Sequence, residues 1–192
     1  NLIDYAAFTI AFPQLTMGPI LRYREWRGAL KERTITREDV FSGFELFVVG
    51  LCFKVLLADQ LAPLWASLER IGYEYLSTPL AWLGAVSYSL QLYFDFSGYS
   101  LMAMGLGQML ALPVPRNFDL PYTARSVSEF YRRWHITLGT WFRDYVYIPL
   151  GGSRNGNART VLSLTVVWFF TGLWHGASWN FVLWGVMLLG FI

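Results

Sequence analysis

Charge is scarce in this chain: 13 acidic and 15 basic side chains in 192 residues, a single cysteine and two histidines. One cysteine, Cys52, excludes an internal disulfide and a cysteine zinc cluster, and its apolar helical setting predicts a packing role. Too few charged residues remain for an ordinary soluble surface, and no nucleic-acid partner is expected. What is abundant is apolar: 55% of residues are hydrophobic and 18% aromatic.

That balance predicts an all-α, polytopic membrane protein without a soluble domain. The run Thr160–Ile192 carries no Asp, Glu, Lys or Arg, and two further uncharged runs, Tyr75–Phe94 and Phe96–Pro115, flank Asp95. Crossing the hydrocarbon takes about 20 apolar residues as helix, so each run is long enough. The basic residues gather in Arg22–Arg37 and Arg116–Arg159, with Arg70 between the apolar stretches. By the positive-inside rule both clusters face the cytoplasm. The chain starts without Met and both ends lie in apolar sequence, which reads as an internal piece of one longer transmembrane domain spanning residues 1–192.

Local signals divide the chain further. Pro13, Gly18 and Pro19 predict a broken helix over the first 21 residues, and the cluster from Arg22 to Arg33 reads as a solvated connector attracted to anionic head groups. Thr36 and Asp39 have capping-box spacing, opening a helix that Pro63 should end. Within it Lys54 and Asp59 are placed to compensate each other. Leu76–Leu112 is too long for one upright crossing, and Gly98, Gly105 and Gly107 offer places to bend. Gly105-Leu-Gly107 lacks the third glycine of a dinucleotide loop. Asp95, the only charge there, either anchors a polar network between helices or lines an aqueous path. Ser126 and Glu129 form a second capping signal for a helix to about Tyr147. Its apolar face would hold Tyr131, Trp134, His135, Leu138, Trp141, Phe142 and Tyr145.

The chemistry concentrates between Glu129 and Gly176, where both histidines follow a tryptophan: Trp134-His135 and Trp174-His175. A titratable ring inside an uncharged membrane segment is a functional candidate. His175 lies between the wall of Trp174 and the gap at Gly176, where burial would keep its imidazole neutral and able to accept a proton. His135 is open to a plain packing role as well. Two other uses of these residues stand beside catalysis. Asp95 and the histidines would relay ions in a transporter, or the two histidines would be axial ligands of a haem.

Several long strings in one order, FPQLTMGPILRY, QLYFDFSGYS, NFDLPYTARSVSEFYRRWHITLGTWFRDYVYIPLGGSRNG and TGLWHGASWNFVLWG, resemble the membrane-bound O-acyltransferases. Within that family the chain is most similar to the bacterial branch of alginate and peptidoglycan O-acetylation proteins. The resemblance implies a helical bundle with a central tunnel in the bacterial inner membrane. It also implies passage of an acetyl group from a cytoplasmic thioester, acetyl-CoA or an acyl carrier, to a hydroxyl of an exopolysaccharide such as alginate or another envelope polymer. No bound cofactor or metal is expected. A periplasmic acetyltransferase or other polysaccharide-modifying partner is. The histidine of Trp-His-Gly, here His175, is the implied catalytic base, with His135 as the second histidine tied to activity. Trp134, Arg132, Arg133, Trp174, Asn180 and Asp95 are the remaining candidates for substrate contact. Leu101 and Leu188 stand where the family pattern often has Asp and His.

Overall fold

A computed structural model describes all residues 1–192, and every regular element is helical. Its contacts gather in two compact units, Asn1–Arg116 and Asn117–Ile192.

In the first unit the opening apolar stretch is broken, as Pro13 predicts. Helix α1 (Leu2–Thr9) stops before a single 3₁₀ turn at Phe12–Gln14, whose carboxamide at Gln14 returns to the Phe8 carbonyl. The basic connector is itself a helix, α2 (Tyr23–Glu32). Trp26 is buried on it against Phe8, at 5.6 Å between ring centroids, while Arg24, Arg27 and Lys31 stay exposed. Apolar side chains at three- and four-residue spacing fold this segment onto α1, a pattern the charges concealed.

Helix α3 (Arg37–Cys52) opens with the expected capping box, Thr36 accepting from the Asp39 N–H and Asp39 from the Thr36 N–H. A wide π turn at Phe53–Ala58 follows, and the helix resumes as α4 (Asp59–Ile71). Pro63 lies inside α4 and does not end it. The π turn has just shifted the bonding register, the Asp59 N–H reaching back to the Lys54 carbonyl, and the helix runs on through the proline. Arg37–Ile71 is the one helical stretch long and apolar enough to cross a membrane by length and composition. Cys52, expected to pack, is exposed.

Helix α5 (Thr78–Met109) is continuous over 32 residues, about 48 Å at 1.5 Å per residue. Its glycines do not unwind it. A Cβ on Gly43 would come 2.6 Å from the Gly105 carbonyl oxygen, and one on Gly50 2.5 Å from that of Gly98, so these positions let α3 and α5 touch backbone to backbone. Lys54 Nζ, in the π turn, pairs with Asp59 at 2.7 Å and with Asp95 of α5 at 2.8 Å.

The second unit holds α6 (Val127–Arg133), α7 (Ile136–Phe142), a π turn at Arg143–Tyr147, α8 (Asn157–His175) and α9 (Trp179–Leu189). Helices α8 and α9 pack where Gly172 meets the backbone at Phe181 and Val182 and Gly185 meets that at Trp168 and Gly172.

Candidate active site

The first histidine sits at a break in what periodicity predicts as one helix to Tyr147. Ser126 caps α6 as expected, accepting from the Glu129 N–H at 3.1 Å, while the Glu129 carboxylate takes the Arg125 N–H at 2.8 Å. That bond, aided by Arg133, holds the Glu129 carboxyl below the usual carboxylate range. Then the helix stops at Arg133. The strip Asn117–Asp119 runs alongside the break: Asp119 N–H donates to the Arg133 carbonyl and Ile136 N–H to the Asn117 carbonyl, both at 2.9 Å, with Phe118 bridged to Trp134. These bonds replace the helical ones. Between them His135 turns left-handed, φ 48° and ψ 51°, a conformation that costs a non-glycine residue about 1–3 kcal/mol and is concentrated at functional sites.

The turn sends neighbouring rings apart. Trp134 joins an aromatic cluster, 5.0 Å from Phe118 and stacked at 5.5 Å on Phe130. His135, only 6% exposed, points instead to Trp174 of α8, with centroids 5.8 Å apart. Burial pushes the His135 imidazolium down to about 4, the nearby His175 charge adding to the effect. At neutral pH this ring is therefore uncharged.

His175 is the last residue of α8. Its Nδ1 lies 2.7 Å from the Thr171 carbonyl oxygen, one turn back. A carbonyl only accepts, so Nδ1 carries the hydrogen and the lone pair of the neutral ring is on Nε2. Trp174 at 5.1 Å and Trp184 of α9 at 5.0 Å stand edge-on to the ring. Trp174 thus touches both histidines. The burial expected for His175 is not found within this chain: His175 is exposed, as are Trp174 (53%) and Trp179 (78%). Helix α8 ends there, so the ring emerges at the helix terminus into an apolar surface. The gap expected beside Gly176 is filled by the Phe181 ring, against which a Cβ would come to 2.5 Å.

The other candidates have settings of their own. Arg133 is engaged by Glu129 at 2.6 Å and Thr123 at 3.1 Å, while Arg132 is exposed in the last turn of α6. Asn180 is exposed in the first turn of α9. Asp95 belongs to the Lys54 ion network of the first unit. A groove of about 440 Å³ at the start of α6, lined by Tyr122, Arg125, Phe130 and Tyr131 among others, includes neither histidine. Tyr131 packs edge-on against Trp168 at 4.8 Å, and burial raises its phenol to about 12. Three participants escaped the sequence reading: Asn117, Thr171 and Trp184. Only Thr171, four residues before His175 on one helix, had a spacing that announced it.

The model of the membrane-bound O-acyltransferase family matches the chain over residues 1–192. The chain belongs to the membrane-bound O-acyltransferase family. Membership makes it a membrane protein, which accounts for the large apolar side chains left exposed along α3, α5, α8 and α9. The chain is 46% identical to the probable alginate O-acetylase AlgI of Azotobacter vinelandii over 96% of its own length and 37% of that relative's. Identity to the peptidoglycan O-acetyltransferase of Helicobacter pylori is 39%, covering 97% of the chain and 36% of the relative. The teichoic acid D-alanyltransferase of Bacillus subtilis is further away, 26% over 93% of the chain and 48% of the relative. The chain therefore spans little more than a third of the first two. All three names describe acyl transfer, to alginate, peptidoglycan or teichoic acid.

Proposed function

We propose that the chain is the histidine-bearing part of a multi-pass inner-membrane O-acetyltransferase that modifies an exopolysaccharide, alginate being the first candidate, or another envelope polymer. The observation that carries this reading is the bond from His175 Nδ1 to the Thr171 carbonyl, because it leaves Nε2 as the basic atom. In the proposed reaction Nε2 takes the proton of an acceptor hydroxyl. The oxygen attacks the carbonyl of an acetyl thioester, the carbon–sulfur bond breaks, and the thiolate leaves with a proton returned from the imidazolium. General-base assistance of this kind contributes roughly 10²–10⁴-fold. His135, neutral and in contact with the same indole, orients the donor carbonyl. Arg132, exposed beside the break, draws the anionic donor, either acetyl-CoA or an acyl carrier, from the cytoplasmic side.

On this reading His175 becomes enclosed when further segments of the protein cover the apolar end of α8, forming the family's tunnel. A periplasmic acetyltransferase takes the acetyl group onward. Family membership favours acyl transfer over an ion relay or a haem site. The test is His175→Ala and His175→Gln in the full-length protein, measuring polymer acetylation in cells and membrane abundance together. Loss of acetylation by about 100-fold or more at unchanged abundance is expected. Acetylation near the normal level removes His175 from the mechanism.

A further inference from the structure

Asn117 has no exposed surface and lies nineteen residues before Ile136, yet it bonds that residue and the next. Its backbone carbonyl accepts the Ile136 N–H at 2.9 Å. Its side-chain Oδ1 accepts twice from Thr137, from the N–H at 3.2 Å and from the hydroxyl at 2.9 Å. These are the first two residues after the left-handed His135. The first N–H groups of a helix have no partner within it, and Asn117 supplies partners for two of them from another segment. On the other side of His135, the Arg133 carbonyl is taken by Asp119. The peptide carrying the ring is therefore clamped on both flanks by one three-residue strip.

We propose that Asn117 is a positioning residue, which fixes the backbone turn at His135 and through it the placement of the imidazole against Trp174. The type of residue suits the task. A buried amide oxygen can accept two hydrogen bonds at once without bringing a charge into the apolar interior. Aspartate would accept the same bonds but bring a negative charge into the interior. Alanine would leave the Thr137 hydroxyl and amide without their acceptor. Loss of either clamp releases the segment toward the uninterrupted helix that its periodicity favours, and that helix would carry His135 away from Trp174.

The inference rests on the reading above only where activity is measured, so the experiment has two arms on the full-length protein in membranes. In the first, diethylpyrocarbonate labelling followed by peptide mass mapping reports access to His135. The wild-type ring is expected to be protected, and Asn117→Ala to label at least about five-fold faster, with Thr137→Val intermediate. In the second, polymer acetylation is compared for Asn117→Ala, His135→Ala and the double variant, each normalised to protein in the membrane. The double variant is expected to match His135→Ala, and Asn117→Ser, which keeps one accepting oxygen, to recover part of the rate. A double variant impaired by the product of the two single losses overturns the proposal, as does unchanged labelling of His135 in Asn117→Ala. If His135→Ala retains full acetylation while Asn117→Ala exposes the ring, the positioning inference stands and the role given to His135 falls.

Discussion

His135 and Trp174 meet edge to face, with ring centroids 5.8 Å apart and planes at 76°, although one sits in a helix break and the other near the end of α8. Because the same indole also lies 5.1 Å from His175, it sets the relation between the two imidazoles. Each such ring pair is worth about 0.5–1.5 kcal/mol beyond its buried area. Trp174→Ala in the full-length protein is expected to lower acetylation roughly ten-fold or more, since both contacts go at once. Trp179→Ala, at a more exposed indole, is the comparison and should stay within about two-fold. Equal losses in the two variants would remove the special place given to Trp174.

Two glycines, one at the α3–α5 contact and one outside it, should respond to substitution in opposite ways. At Gly50 a side chain meets the Gly98 carbonyl and the Met102 amide nitrogen, both backbone, so Gly50→Val should destabilise by at least about 1–3 kcal/mol. At Gly28, inside α2, nothing lies within 4 Å of the added Cβ, and Gly28→Ala should gain up to about 1 kcal/mol of helix propensity. Thermal unfolding in detergent reads both.

Lys54 stands between two carboxylates, and no other cation is paired with Asp95 at this site. Lys54→Met leaves Asp59 and Asp95 facing each other without compensation. A fully buried pair broken in this way costs about 3–5 kcal/mol. These side chains are 33–44% exposed, so screening reduces the expected loss to about 1–2 kcal/mol. Adding Asp95→Asn to Lys54→Met should recover part of it. A double variant less stable than Lys54→Met alone would count against the network.

Acid should weaken the protein through His135, which lies at the break between two short helices and outside the long apolar spans. Its folded-state value, about 4, is below the ordinary histidine value of 6.5, so the unfolded chain binds the proton more readily. Stability therefore rises with pH across that interval and is lost as pH falls from about 6.5 toward 4, by up to about 3 kcal/mol in total. His135→Gln should show a shallower decline between pH 7 and pH 4.5 in the same unfolding assay. Parallel curves would mean that other groups carry the acid response.

What could be read from the residues alone was local. The Thr36 and Ser126 caps and the break near Pro13 follow from side chains within a few positions of one another. The family was legible because long strings recur in order. The break at Trp134-His135 was not, since its cause is a strip that begins at Asn117 and no periodicity records pairing between distant segments. Gly98 and Gly105 looked like flexibility because a glycine's effect depends on what faces it, and here it faces another backbone. Pro63 looked like a terminator because the π turn that accommodates it has no sequence signature. The exposure of His175 follows from its place at a helix end, which hydropathy averages over.

The paired glycines of α3 and α5 recur every seven residues, Gly43 and Gly50 on one helix answering Gly105 and Gly98 on the other. Turning α3 by a single residue along its screw would set Phe44 and Leu51 where Gly43 and Gly50 now meet carbonyl oxygens, so the pair admits one register. The two helices then behave as a keyed keel, fixed along their shared length. Any motion that lets acyl chemistry proceed has to come from parts of the protein that are not interlocked in this way.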